Sequence, residues 1–267
     1  MNILVIGAHP DDCEVNTAGL CLKLKEKGHR IKYLCATNGC TGHYEMGGGA
    51  LVRRRESEFR EACAIAGFEC EMLDIPNNEI EPNIFYRKLF VQAIRLFETD
   101  VIITCRPNDY HADHRYTSIL VLDCITSIRI PNVCPLTPHL RRNPVLIYHW
   151  DKFQNPSFAP DIAIGIDDKM DMKFDMLHCH KSQMYEWLPW EAEIGHQVPR
   201  EDHERRKWLP TWRNAKERDI ANLSRELLVR RYGPGQGRKI TSAEAFQFTE
   251  YSRQLTDHEQ DELFGSI

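Results

Sequence analysis

The chain has 267 residues, 42% of them hydrophobic and 27% charged, enough length and apolar content to bury one large core. A formal net charge of −5 leaves no basic footprint, so nucleic acid is not an expected partner. No apolar stretch reaches the roughly 18–20 residues of a membrane span, and the Met1–Ile6 run lacks a cationic start and a small-residue cleavage site, so a cytoplasmic protein is expected.

Residues 2–7 are a near-continuous apolar run, the pattern of a parallel strand buried on both faces. Apolar positions at helical spacing follow over 16–27, with Gly28 as a stop. Residues 30–37 read as a second strand and 51–66 as a helix ending at Gly67. A short third strand is expected at 70–74, a helix at 83–98, a fourth strand at 100–105 and a helix at 112–129. Strands separated by helices of this length build a mostly parallel, Rossmann-like sheet through right-handed crossovers. The second half is less regular. Two strands are expected at 145–150 and 161–166, a Met-rich helix at 168–187, a charge-laced helix at 199–219 and a loop at Gly233–Gly237. With no repeat or linker, one domain over 1–267 is expected, residues 186–240 being its irregular elaboration. The ten cysteines contain no C-x-x-C pair and are expected as buried free thiols.

In such sheets ligands bind beyond the carboxyl ends of the strands. Two clusters stand there. After the first strand comes His9-Pro10-Asp11-Asp12-Cys13-Glu14, and after the fourth Pro107-Asn108-Asp109-Tyr110-His111-Ala112-Asp113-His114. Neither contains the glycine fingerprint of dinucleotide binding. Adjacent carboxylates repel unless a cation compensates them, and a His/Asp set suits zinc or a similar divalent metal. Taken alone, the first loop is equally readable as a helix N-cap through Asp12 and the second as surface decoration. Their joint placement at one sheet edge favours a site.

The segments Ala8-His9-Pro10-Asp11-Asp12-Cys13-Glu14 and His111-Ala112-Asp113-His114 resemble the PIG-L/LmbE-like deacetylases. So do Thr37-Asn38-Gly39, Arg55-Glu56-Ser57-Glu58, His180-Lys181-Ser182-Gln183 and Ala243-Glu244-Ala245-Phe246, which together span nearly the whole chain. The resemblance implies an LmbE-like three-layer α/β sandwich and metal-dependent hydrolysis of an N-acetyl group from an N-acetylglucosamine-type sugar. It implies Zn2+, or another divalent metal such as Fe2+, on His9, Asp12 and His114. Asp11 would be the general base and later acid. His111 would stabilise the oxyanion, oriented and kept protonated by Asp113. Glu14 would back the ligands, and with Arg55 serve the substrate side, Arg55 by direct contact. His180 reads as a helix-packing histidine. A small N-acetylated sugar and a homo-oligomer are the implied partners. Alternatives are another amide hydrolysed on the same site, or a non-catalytic sugar- or metal-binding homologue. The glycine-rich loop at 43–49 is expected as a lid or a flexible turn. Trp187, Trp190, Trp208 and Trp212 either cover the site or pack in a core or interface.

Overall fold

The computed structural model describes residues 1–265; Ser266 and Ile267 of the expected 1–267 domain lie outside the described residues. In chain order the described elements are β1 Asn2–Gly7, α1 Asp12–Glu26, β2 Arg30–Cys35, α2 Gly48–Ala66, β3 Glu69–Met72, α3 Ile84–Leu96, β4 Val101–Thr104, α4 Ala112–Ile125, β5 Val145–His149 and β6 Ile162–Gly165. They continue with α5 Met170–Cys179, a π-helical turn Ser182–Trp187, α6 Leu188–Glu191, α7 Asp202–Arg213, α8 Ala215–Leu223, α9 Arg225–Gly237, β7 Ala243–Phe248 and α10 Asp257–Phe264. The sheet order is β3-β2-β1-β4-β5-β7-β6. Strands β1 to β5 are parallel, and β7 runs antiparallel between β5 and β6.

The unbroken apolar run of β1 follows from burial on both faces. Ile3 and Val5 join one core with Leu20 of α1, Phe59 of α2, Met176 of α5 and Leu263 of α10. Leu4 and Ile6 face the other side, against Phe90 and Ile94 of α3 and Leu120 of α4. One-residue alternation thus feeds two helical layers, which is the three-layer sandwich.

The second half departs from its pattern. The Met-rich helix stops at His180 (φ −77°, ψ 59°) and resumes as a π-helical turn. The cause is Glu58 of α2, which takes the Ser182 backbone N–H at 3.0 Å and its hydroxyl at 2.5 Å. The charged helix divides at Asn214 into α7 and α8. The Gly233–Gly237 loop is instead the end of α9, kinked at Gly233, whose φ of 77° suits glycine. Strand β7 and helix α10 carry no period strong enough to be read from the sequence. All ten cysteines are free, seven of them buried. No described helix is long and apolar enough to cross a membrane.

Candidate metal centre

Strand order reverses between β1 and β4, and the chemistry gathers at their carboxyl ends. Gly7 ends β1 because a Cβ there would lie 2.8 Å from Asp12 Cβ; only glycine lets the loop fold back over its strand. Asp11 then adopts φ 151°, ψ −19°, a strained backbone for a non-glycine residue, and α1 begins at Asp12. On the other side His111 caps α4, its Nδ1 accepting the Asp113 backbone N–H at 3.1 Å.

These turns bring three donor atoms together. His9 Nδ1 lies 3.3 Å from His114 Nε2, His114 Nε2 lies 3.4 Å from Asp12 Oδ2, and His9 Nδ1 lies 3.5 Å from Asp12 Oδ2. Tetrahedral coordination with bonds of about 2.0–2.1 Å requires ligand atoms about 3.3–3.4 Å apart, so this nearly equilateral triangle fits a zinc-sized ion with a fourth position open. The other ring nitrogen of each histidine is held by a carboxylate. His9 Nε2 meets Asp113 Oδ2 at 3.0 Å, and His114 Nδ1 meets Asp109 Oδ2 at 3.0 Å. Such carboxylate–imidazole pairs fix tautomer and ring orientation in metal sites. A second set of three candidate ligand atoms, from His9, His111 and Asp113, contains this same His9–Asp113 pair.

Electrostatics reinforce the grouping. Burial works against both charges, yet the facing charges and hydrogen bonds of Asp12 and His114 win. They hold Asp12 well below its usual range and His114 well above. His9 is raised in the same way, burial being outweighed by its bonds to Asp113 and Asp12. Burial raises Asp11, and the charge of Arg55 only partly offsets it.

Several expected roles are revised by position. Asp113 does not keep His111 protonated. Its carboxylate accepts from His9 and from the Asn78 backbone N–H. Burial and the neighbouring His9 and His114 push His111 down. With Nδ1 already accepting, the neutral His111 ring carries its proton on Nε2 and donates from there. Glu14 does not line the cavity. It is fully buried behind the loop, its Oε1 3.3 Å from Nε2 of the equally buried His180, which it raises against burial. Arg55, not Arg53 or Arg54, is the inward arginine of the triplet. It is 2% exposed, donates to the Pro10 carbonyl at 3.0 Å and lies 3.4 Å from Asp11 Oδ1. It lines the cavity from behind Asp11, in a notch kept open by Gly39 and Gly42, where a Cβ would come within 2.9 Å of its side chain.

The cavity over these residues has a volume of about 370 Å³. A larger one, about 550 Å³, lies between β6 and α9 beside Asp161 and Tyr232, away from the histidines. Chemistry rather than volume locates the site. Its walls include Thr41, Asn77, Tyr110, Gln183, Trp187 and Arg213. Asp109 and Arg213 are functional candidates that the sequence does not single out. Asp109 could have been found as the second carboxylate in the loop that carries His114; Arg213 leaves no local signal. The loop at 43–49 is pinned against the rim. His43 Nε2 meets Glu186 at 2.9 Å, Arg54 grips Glu186 at 2.6 and 2.7 Å, and His43, Tyr44, Trp190 and Trp187 stack in succession. Trp187 thus borders the cavity, while Trp208 and Trp212 pack with Leu209 and Phe174 in a small core.

An open α/β sheet with a His/Asp triangle at its switch point defines an α/β protein carrying a metal-site arrangement. Residues 4–125, β1 through α4, match the family described as PIG-L: GlcNAc-PI de-N-acetylase. It is similar to the diacetylchitobiose deacetylase of Thermococcus kodakarensis, 29% identical over 206 residues, covering 72% of this chain and 74% of that protein. Among solved structures it resembles the N,N'-diacetylchitobiose deacetylase of Pyrococcus horikoshii (TM-score 0.69, 20% identity, 94% of this chain and 84% of that one). It also resembles the 4-carboxy-2-hydroxymuconate hydratase of Pseudomonas putida (TM-score 0.73, 17% identity, 96% and 98%). The fold therefore hosts more than one chemistry, and the reaction must be argued from the site.

Proposed function

We propose that this protein hydrolyses the N-acetyl group of an N-acetylglucosamine-type sugar or glycoconjugate, releasing acetate and the free amine, with zinc held by His9, Asp12 and His114. The reading makes one domain of the whole chain and places the enzyme in the cytoplasm. The observation that carries it is the 3.3–3.5 Å donor triangle at the sheet's carboxyl edge, with Asp11 and His111 lining the same cavity. The match of residues 4–125 to a de-N-acetylase family and the likeness to a diacetylchitobiose deacetylase support the substrate class.

When bound, zinc supplies Lewis acidity, acidifying a water and polarising the acetamide carbonyl. The chain's own residues do the rest. Asp11 takes the proton of the attacking water and returns it to the departing nitrogen, so that amide plus water gives amine plus acetate. Arg55 holds the Asp11 carboxylate from behind. Nε2–H of His111 donates to the oxygen on which negative charge develops. Asp109 and Asp113 keep the imidazoles of His114 and His9 turned toward the metal.

The test is acetate release from N-acetylglucosamine, its glycosides and N,N'-diacetylchitobiose, with and without zinc. Asp11→Asn should keep its metal while turnover falls about 10²–10⁴-fold. Unchanged turnover in that variant would remove Asp11 as the base.

A further inference from the structure

Arg213 is the last residue of α7, where the break at Asn214 turns the chain into α8. It lies well beyond the family match at residues 4–125, yet its side chain lines the same cavity as His9, Asp11 and His111. The guanidinium is only partly exposed and sits over the Trp212 ring, 5.1 Å from its centroid. It makes no hydrogen bond or ion pair among the described residues. Burial pushes its pKa down, and the more distant charges of Asp11 and Glu217 only partly compensate.

Other partly or fully buried arginines have polar partners. Arg55 is bonded to Pro10 and Asp11, Arg54 grips Glu186, and Arg106 takes both oxygens of Asp151 at 2.6 Å. The role of cationic partner to Asp11 is already filled by Arg55. Glu191, the other charge on the cavity wall without a partner among the described residues, is exposed to solvent. A half-buried cation without an anion is costly, and an arginine braced by an aromatic face presents its N–H edges ready for a planar or tetrahedral anion.

We propose that Arg213 reads an anionic group, carboxylate or phosphate, on the molecule that enters the cavity, so that the substrate class is an acidic N-acetylhexosamine conjugate rather than a neutral sugar. This rests on the deacetylase reading of the site. Arg213 is a specificity-determining residue that comes from the irregular second half of the chain, while the reacting groups come from the first.

The experiment compares the zinc-loaded full chain with its Arg213→Ala and Arg213→Gln variants on three probes: methyl N-acetylglucosaminide, N-acetylglucosamine 1-phosphate and N-acetylmuramic acid. The wild type should favour at least one anionic probe over the neutral glycoside by about tenfold or more in kcat/KM, and both variants should lose most of that ratio. The two anionic arms separate phosphate from carboxylate. Equal turnover of neutral and anionic probes by the wild type overturns the proposal. So does a variant slowed by the same factor on all three probes, which would put Arg213 at the reacting centre. If the wild type releases acetate from no probe, the deacetylase reading fails, and calorimetric binding of the same probes decides for Arg213. Preference for an anion, lost in both variants, upholds it; absence of preference in the wild type overturns it.

Discussion

Replacing Asp109 by asparagine changes the metal centre by one atom and one charge. Both oxygens of Asp109 are in use. Oδ2 faces His114 Nδ1 at 3.0 Å, and Oδ1 accepts the His111 backbone N–H at 2.8 Å. Asparagine has one acceptor oxygen, so its amide must face one of these two donors. Facing His114, it forces the imidazole to move its proton to Nε2, the nitrogen that belongs to the triangle. Facing His111, it opposes donor to donor at the start of α4. Either way one charge-assisted bond is lost, about 1.5–3 kcal/mol. At about 1.4 kcal/mol per tenfold this equals the 10–100-fold loss of metal affinity typical when a ligand's orienting partner is removed. Asp113→Asn is the internal comparison. There Oδ2 alone serves both His9 and the Asn78 N–H, while Oδ1 has no partner. An asparagine oxygen in the Oδ2 place keeps both bonds and loses only the charge, so its effect should be smaller. The assay is zinc competition against a chromophoric chelator at fixed pH, with thermal melts to check folding. Asp109→Asn binding zinc within about twofold of wild type, or Asp113→Asn costing more than Asp109→Asn, refutes the reasoning.

Three further expectations follow from the same geometry. Gly39→Ala places a Cβ 2.8 Å from Arg55 Cδ at a φ of +71°; it should cost about 1–2 kcal/mol and lower turnover by loosening Arg55 from Asp11, with zinc affinity intact. Wild-type turnover in that variant would argue against Arg55 as the holder of Asp11. Glu186→Gln weakens the clasp with Arg54 and His43 and should speed limited proteolysis at residues 47–49; an unchanged cleavage rate means the stacked rings alone hold the loop. Glu259 is pushed down to about 2 chiefly by its bonds to Arg253, with the Thr256 N–H and the charges of Arg253 and Arg142 adding, against burial. A folded pKa below the unfolded one stabilises α10 fully above about pH 4.5, and that contribution fades as pH falls toward 2. Melting temperature should therefore fall less steeply over this range in Glu259→Gln, and parallel profiles would exclude Glu259 as a source of acid lability.

The first half of the chain was legible because its structure is local. From β1 to α4 each element is a short strand or helical run stopped by Gly28, Gly67 or a loop, and each strand pairs in parallel register with a neighbour from the same half. The grouping of candidate donors is legible for the same reason: they cluster within His9–Glu14 and Asp109–His114 at strand ends. Contacts that depend on distant chain were not legible. Glu58 unwinds the helix at Ser182 across 124 residues, and β7 enters the sheet between strands that precede it by some eighty residues or more. Which aspartate serves which histidine is likewise not legible. Asp109 and Asp113 lie four residues apart on either side of the start of α4 at Ala112, which turns one toward His114 and the other toward His9.

Glu244, noticed in the sequence only as part of a C-terminal resemblance, proves to be half of a buried clamp. Lys173 Nζ lies 2.8 Å from Glu244 Oε1, 2.8 Å from Glu217 Oε1 and 3.0 Å from the Val15 carbonyl, tying α5 to β7, α8 and α1. Burial opposes the ammonium, but the two carboxylates hold its pKa above the ordinary lysine value. Glu244 has further support from the Gly19 and Leu20 backbone N–H groups at 2.9 and 2.8 Å. Glu217 has much less, since its second oxygen is buried without a partner. Lys173→Met should therefore cost about 3–5 kcal/mol, most of it the penalty of stranding Glu217. Adding Glu217→Leu should restore at least half, because an apolar pair of similar volume no longer buries that charge. Chemical denaturation of the two variants measures this, and a single variant within about 1 kcal/mol of wild type would show that the carboxylates find water or Lys216 instead. Because α8 starts two residues after Arg213, the rescued double variant also separates two roles of this buried triad. If it regains stability yet loses preference for anionic substrates, the clamp's contribution lies in aiming Arg213 into the cavity rather than in holding the fold together.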